Sequence, residues 1–412
     1  MKISFNDMLY AISFALDMVE YQLLGVSTFH SPRVAYIATQ MGRQFGLEKE
    51  KLSDLAACSI MHDNALTEYI REEYKQTPQA LSAENKQEKK NFGRHCVIGE
   101  ENIAGLPFFG DVKNSVLYHH ENFNGSGPFA KSGKEIPFYA ALIRLGDKLD
   151  TVFDLSFMNK EKYRQLILHL STNTGVLYKD VHVEAFCDIF TLKKLESMQG
   201  EGAIHLLKAS LPEYVTEYTP EELLTFPVIF AKIIDYKSHF TSLHSVGIAI
   251  KAKIMGEYYG FDKEHVAKLF LAGAFHDIGK MVVDNDILEK PASLTAGEFK
   301  QMRNHAYYSY YILSKINGFE EIARWASLHH EKLNGTGYPF GLNADQLGFE
   351  ERLMACVDIY QALSEKRPYK ESLPHQTVIQ MMQELAEKGE IDGKIVDDID
   401  KVFKDLPKEA NL

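Results

Sequence analysis

Ten of the sixteen histidines in this 412-residue chain fall on a spacing that occurs twice, with aspartates at matching stations. The first half carries His30, His62-Asp63, His95, His119-His120 and Asp147, and the second carries His244, His276-Asp277, His305, His329-His330 and Asp358. The step from the first histidine to the His-Asp pair is 32 residues in both halves, and the step from the lone histidine to the His-His pair is 24 in both. The two remaining steps are 33 against 29 and 28 against 29. Chance placement does not match two long intervals in this way, so the chain reads as a tandem duplication.

Imidazoles and carboxylates are ordinary ligands of first-row metals. A lone histidine on an apolar helix face is more often a core residue with one hydrogen bond. Five histidines and two aspartates per copy, all expected on inner faces or loop mouths, would bury several ionisable groups together. That is costly unless they are paired or hold a metal. In the second copy, Asp277 has two oxygens and can bridge two ions. His244, His276 and Asp358 would complete one metal, and His305, His329 and His330 the other. A metal pair of this kind activates a water and steadies the departing oxygen in an in-line displacement at phosphorus. With no cysteine in the set, structural zinc is disfavoured and iron or manganese is expected. In the first copy His30, His62, Asp63, His95, His119, His120 and Asp147 could hold a metal as well.

Helices are the elements that must position these groups. Val266, Leu269, Phe270, Gly273, His276 and Asp277 follow helical spacing, as do Leu52, Leu55, Ala56, Ser59, His62 and Asp63. Thr295-Ala296-Gly297-Glu298 is a capping box that predicts a helix start, with His305 near that helix's end. Asp358 shares an apolar stripe with Met354 and Val357. The segments Asn124–Pro128 and Asn334–Pro339, after each His-His-Glu, read as Gly-rich loops. Met1–Glu20 reads as an amphipathic helix, and Asn173–Phe190 as a hairpin or irregular structure. The expected fold is all-α, two tandem helical bundle domains, at 1–208 and 209–412.

The four cysteines, Cys58, Cys96, Cys187 and Cys356, are scattered, which predicts neither a disulfide framework nor a Cys-type zinc site. No apolar run approaches the ~18–20 residues that span a bilayer, so neither a membrane span nor membrane association is expected, and the cytoplasm is the expected setting. A net charge of −12 without a basic stripe disfavours a duplex nucleic acid partner. A small anionic substrate held by a few local cations is compatible with it.

At these residues the second copy resembles the HD-GYP family of cyclic-dinucleotide phosphodiesterases. His276-Asp277-Ile278-Gly279-Lys280 is similar to the family's HD signature, and His329-His330-Glu331 with Gly335-Thr336-Gly337-Tyr338-Pro339 to its second signature. Lys290-Pro291, Leu294-Thr295 and Arg367-Pro368-Tyr369-Lys370 continue the likeness, which covers about residues 235–375. The resemblance implies an all-α fold of HD type and hydrolysis of cyclic di-GMP or a relative to a linear dinucleotide. The tandem layout is similar to that of members acting on 3′,3′-cyclic GMP-AMP. Asp277 and Lys280 would be catalytic, and Lys280, Lys290, Tyr338, Arg367 and Lys370 would contact substrate. Three-metal members carry a Glu where this chain has Phe240, so two metals are expected. The first copy has Leu66, Pro128, Ser156 and Asn159 where the second has Lys280, Tyr338, Arg367 and Lys370. It keeps ligand types and loses the cations that orient a phosphate anion, which marks it as non-catalytic and regulatory. Two other readings compete: an HD-type nucleotide phosphohydrolase, which would lack the Gly-Tyr-Pro loop, and a non-catalytic cyclic-dinucleotide receptor, which would not need Lys280 beside an intact ligand set.

Overall fold

The computed structural model describes residues 1–66, 68–69, 93–211, 215–237, 244–288, 290, 292–365 and 372–406. It divides into two units, Phe5–Tyr214 and Met1–Ser4 with Val215–Leu412. Both are helical bundles, and the named strands among the described residues form a single two-stranded sheet. No helix among the described residues is long and apolar enough to cross a membrane.

The first unit opens with α1 (Phe5–Leu24), followed by α2 (His30–Gln44), α3 (Lys49–Ile60) and α4 (Arg94–Ile103). It continues through α5 (Phe138–Phe153), α6 (Lys160–Asn173), α7 (Asp180–Ile189), α8 (Leu192–Glu196) and α9 (Gly202–Ser210). Two expectations are corrected here. The chain's first residues, Lys2–Ser4, form strand β1 of the other unit, and α1 starts only after them; Asp17 and Glu20 are buried in α1, so it has no polar face at those positions. Most of Asn173–Phe190 is helix α7, because Val183 and Phe186 bury one helical face despite the β-branched composition.

In the second unit β1 pairs antiparallel with β2 (Val215–Glu217), Ile3 opposite Thr216. Its helices are α10 (Pro227–Tyr236), α11 (His244–Tyr258), α12 (Lys263–Phe275), α13 (Asn285–Leu288), α14 (Ala296–Leu313), α15 (Glu320–Ser327), α16 (Phe349–Ser364), α17 (His375–Glu387) and α18 (Gly393–Phe403). Side chains cap the key starts: Asp262 accepts from the His265 N–H, and Thr295 and Glu298 form the reciprocal capping box of α14. That box is where the sequence places it, but α14 runs on to Leu313, so His305 sits in mid-helix, not near its end.

The helices ahead of both His-Asp pairs also stop sooner than the spacing suggests. α3 ends at Ile60 and α12 at Phe275; Asp277 leaves helical geometry (φ −102°, ψ 12°) and a 3₁₀ turn, Ile278–Val282, follows. Close approach to α14 is the reason. A Cβ on Gly279 would lie 2.0 Å from the His305 carbonyl oxygen and 2.7 Å from the Ser309 nitrogen. Ser309 Oγ locks the contact, donating to the His276 carbonyl at 2.7 Å and accepting from the Gly279 N–H at 3.0 Å. The first unit solves the same problem with the small residue on the other partner: Ala65 stands at the Gly279 position, and Gly99 on α4 stands at the Ser309 position.

This contact predicts a contrast between two glycines. Gly279→Ala meets backbone that cannot yield, and overpacking of ~1–3 kcal/mol corresponds to roughly 2–12 °C of melting temperature for a unit of this size. Gly297→Ala, in the first turn of α14 with no atom within 4 Å of the added Cβ, should cause no loss. Thermal unfolding followed by circular dichroism checks both.

Candidate functional site

Five elements of the second unit converge on one carboxylate. His244 opens α11, His276 and Asp277 follow α12, His305 lies within α14, His329-His330 follow α15, and Asp358 lies in α16. Asp277 Oδ2 faces His276 Nε2 at 3.0 Å and His244 Nε2 at 4.0 Å, while Asp277 Oδ1 faces His305 Nε2 at 3.5 Å. His244 Nε2 is also 3.3 Å from Asp358 Oδ1. Ligand atoms of His244, His276 and Asp358 lie within 4.8 Å of one another, and so do those of His305, His329 and His330. His276, Asp277 and His329 form a third such group, which links the other two.

Each ring is aimed by its other nitrogen. The Nδ1 atoms of His276, His305 and His329 donate to the carbonyls of Gly273 (2.9 Å), Met302 (2.6 Å) and Ala326 (2.6 Å), each three residues earlier. This fixes the proton on Nδ1 and turns the Nε2 lone pair inward. His244 Nδ1 pairs instead with Glu365 Oε2 at 2.8 Å, and Gln361 Nε2 donates to that same oxygen at 3.1 Å.

Four of the inward atoms find no hydrogen-bond partner. His276 Nε2, His305 Nε2, His329 Nε2 and Asp277 Oδ1 are buried without a hydrogen bond. Four such atoms in one place are rare in a native core, and a cation satisfies them together. The protonation states agree. Burial pushes His329 down to about 3 and, with neighbouring imidazoles, holds His330 well below the ordinary range; burial lowers His305 too. Burial opposes ionisation of Asp277, but His276 and Lys280 outweigh it and hold its carboxyl well below the usual range. Neutral imidazoles facing an ionised carboxylate are the ligand forms. His244 differs: Asp358 and Glu365 overcome its burial and push it up to about 9, so a metal ion would have to displace a proton there. The residues present fit a divalent metal pair.

The expected substrate contacts divide. Lys280 Nζ is bonded to Asp277 Oδ2, at the edge of the centre. Tyr338 is also there, its ring centroid 4.7 Å from that of His330. Lys290 is held elsewhere, its ammonium on both Glu298 oxygens at 2.8 and 2.6 Å in the α14 capping box. Arg367, Lys370 and Phe240 lie outside the described residues. Sequence reasoning missed Arg303, whose guanidinium stacks 4.5 Å from the Tyr338 centroid, and Glu365, the partner of His244. Glu365 could have been sought. The first copy reads Asp147-Lys-Leu-Asp150, whose last residue bonds His30 Nδ1 at 2.6 Å, whereas the second has Gln361 at that station. The motif's Glu331 folds the Gly-rich loop, accepting backbone N–H groups from Phe340 (2.7 Å), Gly341 (3.1 Å) and Leu342 (2.9 Å).

The first unit repeats the plan with changes. Asp63 Oδ1 faces His95 Nε2 at 3.3 Å and His119 Nε2 at 3.4 Å, and Oδ2 faces His62 Nε2 at 3.5 Å. His30 Nε2 is 3.6 Å from Asp147 Oδ1, and His120 Nδ1 is 3.7 Å from Asp147 Oδ2. His62 Nε2, His119 Nε2 and Asp63 Oδ1 are again buried without partners. Two additions have no counterpart in the second unit. Cys96 joins His95, His119 and His120 within 4.8 Å, and Arg144 Nη1 reaches His120 Nδ1 at 3.4 Å and Asp147 Oδ2 at 3.7 Å. Ala306 and Ala355 occupy those stations in the second copy.

The HD domain profile matches residues 19–180 and again 228–395, which together make up most of the chain. The chain belongs to the HD domain family. Two Vibrio cholerae relatives of this HD-domain chain are similar over nearly its whole length. 3′3′-cGAMP-specific phosphodiesterase 1 is 28% identical over 399 residues, covering 94% of this chain and 89% of the relative. 3′3′-cGAMP-specific phosphodiesterase 3 is 26% identical over 449 residues, covering 98% and 95%. The crystal structure of a cyclic GMP-AMP-specific phosphodiesterase of V. cholerae superposes with a TM-score of 0.68 at 23% identity, covering 99% of this chain and all of that one, which establishes the shared fold. These findings agree with the resemblance to cyclic-dinucleotide phosphodiesterases carried by the motifs.

The geometry of the HD-domain centre predicts two kinds of metal loss. Asp277→Ala should abolish the metal bound by the second unit, leaving the helical circular dichroism signal intact. Glu365→Ala, which frees His244 Nδ1, should weaken affinity about 10–100-fold without abolishing it. Elemental analysis after dialysis against graded metal concentrations, in a His62→Ala/Asp63→Ala background, separates the two.

Proposed function

We propose that the second unit is a metal-dependent phosphodiesterase that hydrolyses a cyclic dinucleotide, 3′,3′-cyclic GMP-AMP and/or cyclic di-GMP, to a linear dinucleotide in the cytoplasm. The observation that carries the reading is Asp277. It stands between two histidine sets with inward, unpartnered nitrogens, and Lys280 and the Tyr338 loop stand beside it. The nearly full-length likeness to two 3′3′-cGAMP-specific phosphodiesterases supports the same substrate class.

His244, His276, Asp277, His305, His329, His330 and Asp358 would hold two divalent ions, iron or manganese. When bound, such a pair supplies an activated water and positive charge for the departing oxygen of an in-line displacement at phosphorus. The chain's own groups do the rest. Lys280 places an ammonium at the edge of the centre, where it neutralises a non-bridging phosphate oxygen once substrate competes with Asp277 for it. Burial works against that charge, but the adjacent carboxylate keeps the ammonium above its ordinary range, so Lys280 remains cationic throughout the neutral range. Tyr338, stacked under Arg303, offers a flat face for a base. Arg367 and Lys370 would add cations for the second phosphate. Lys290 is less suited, since both Glu298 oxygens already hold its ammonium.

The first unit has Leu66 in place of Lys280 and a fixed cation, Arg144, between His120 and Asp147. It is proposed to be non-catalytic and regulatory. Two outcomes test the assignment. Lys280→Ala should lower turnover about 10²–10³-fold with the metal content of the second unit unchanged; loss of metal would assign Lys280 to the centre's assembly instead. Replacing His62 and Asp63 by Ala should leave turnover measurable, whereas Asp277→Ala should abolish it for every cyclic dinucleotide in a panel; wild-type turnover by the Asp277 variant would contradict the proposal.

A further inference from the structure

The two units differ most informatively away from their histidines, under the loop that follows each His-His-Glu. Shared backbone bonds align the region. Phe123 N–H donates to the Leu177 carbonyl at 3.1 Å as Leu333 N–H does to Glu390 at 2.9 Å, and Gly133 N–H donates to Phe123 at 2.9 Å as Ala344 N–H does to Leu333 at 2.9 Å. α5 and α16 both begin at a phenylalanine and run 16 residues, and α7 and α18 follow in register.

In the second unit this place is filled. Arg352, fourth residue of α16, sends its guanidinium under the loop, donating to the carbonyls of Leu347 at 3.0 Å and Ala344, and reaching Asp392 Oδ2 at 3.4 Å. Ile391 and Ile395, which flank Asp392 in sequence, are both buried. In the first unit the fourth residue of α5 is Ala141, and the stations of Asp392, Ile391 and Ile395 carry Lys179, Tyr178 and His182. Loss of the arginine leaves a cavity of about 490 Å³. That is within the roughly 300–1,000 Å³ of small-molecule sites.

The lining has a defined chemistry. Phe123, Phe138, Tyr178 and His182 supply aromatic wall, and Lys134 and Lys179 supply cations beside Arg144, whose guanidinium is held by Asn122 and Asp147. Neither Lys134 nor Lys179 enters an ion pair among the described residues. The one acid in the wall, Glu121, is buried and already satisfied, its two oxygens accepting from the Phe129 N–H at 2.7 Å and the Lys131 N–H at 2.8 Å. The pair that neutralises the second unit's site, Arg352 with Asp392, has become an opening with a lysine at its edge. Aromatic faces suit a flat ring, and the lysines suit an anion.

We propose that the first unit binds a nucleoside monophosphate in this cavity, its base against Phe138, Tyr178 and His182 and its phosphate on Lys134 and Lys179. The inference does not depend on the activity assigned to the second unit. All of the lining lies in the first unit, and none of it belongs to the seven-residue metal set there.

Photolabelling tests it on the full chain. 8-Azido-GMP should label peptides that contain Phe138 or Tyr178, and GMP should protect them at concentrations where inorganic phosphate does not. Ala141→Arg, which restores the side chain that fills the second unit, and Lys179→Asp, an exposed change that restores its charge, should each weaken GMP binding at this site at least tenfold by equilibrium dialysis. Labelling confined to the second unit would overturn the proposal, as would GMP binding unchanged in both variants. Protection by phosphate as effective as that by GMP would overturn the nucleotide assignment in favour of a bare anion site. If Ala141→Arg does not fold, Lys179→Asp and the label map still decide the matter.

Discussion

A buried carboxylate with one oxygen unpaired is the constraint from which the second unit is built. Asp277 is almost wholly out of water, and an isolated ion there would be expelled or neutralised. It stays ionised because imidazoles and an ammonium surround it. Bringing five elements to one point requires close backbone approach, supplied by Gly279 against α14 and sealed by Ser309. It also requires that no ring turn away, which the carbonyls of Gly273, Met302 and Ala326 ensure. The price is a set of buried nitrogens with nothing in the chain to bond. A bound cation would resolve this conflict, so stability and chemistry would have the same solution.

The first unit keeps the same constraint with different charges around it. Asp63 retains its ring of histidines, and the close approach survives with its small residue moved from Gly279's station to Gly99. Around that frame the charges have been rearranged: a leucine replaces the lysine beside the carboxylate, and Arg144 sits where an alanine leaves room in the second unit. Under the neighbouring loop an ion pair has given way to an opening.

The spacing of histidines and aspartates made the centre legible in the sequence, because ligand type and interval survive any misjudgement of helix ends. The all-α fold was legible for the same reason: apolar stripes and a capping box at Thr295 mark helices directly. What could not be read is set by distant partners. Nothing near Asp277 in the sequence tells that its helix stops at Phe275, since the cause is a carbonyl on α14. Lys290 matched a motif, yet its ammonium is held by Glu298. The role of Glu365 depends on Gln361 standing where the first copy has an aspartate, a difference visible only when the copies are compared. Lys2–Ser4 pairs with a strand more than 200 residues away, and no local pattern predicts that.

The central claim is that Asp277 bridges two metal ions in the second unit. Anomalous diffraction from crystals of the full chain, recorded at the absorption edge of the metal found by elemental analysis, tests it most directly. The account predicts two peaks about 3.5–4 Å apart astride the Asp277 carboxylate, one beside His244, His276 and Asp358 and the other beside His305, His329 and His330. A single peak served by only one of those sets, or none, with Asp277 bound to Lys280 alone, would contradict it.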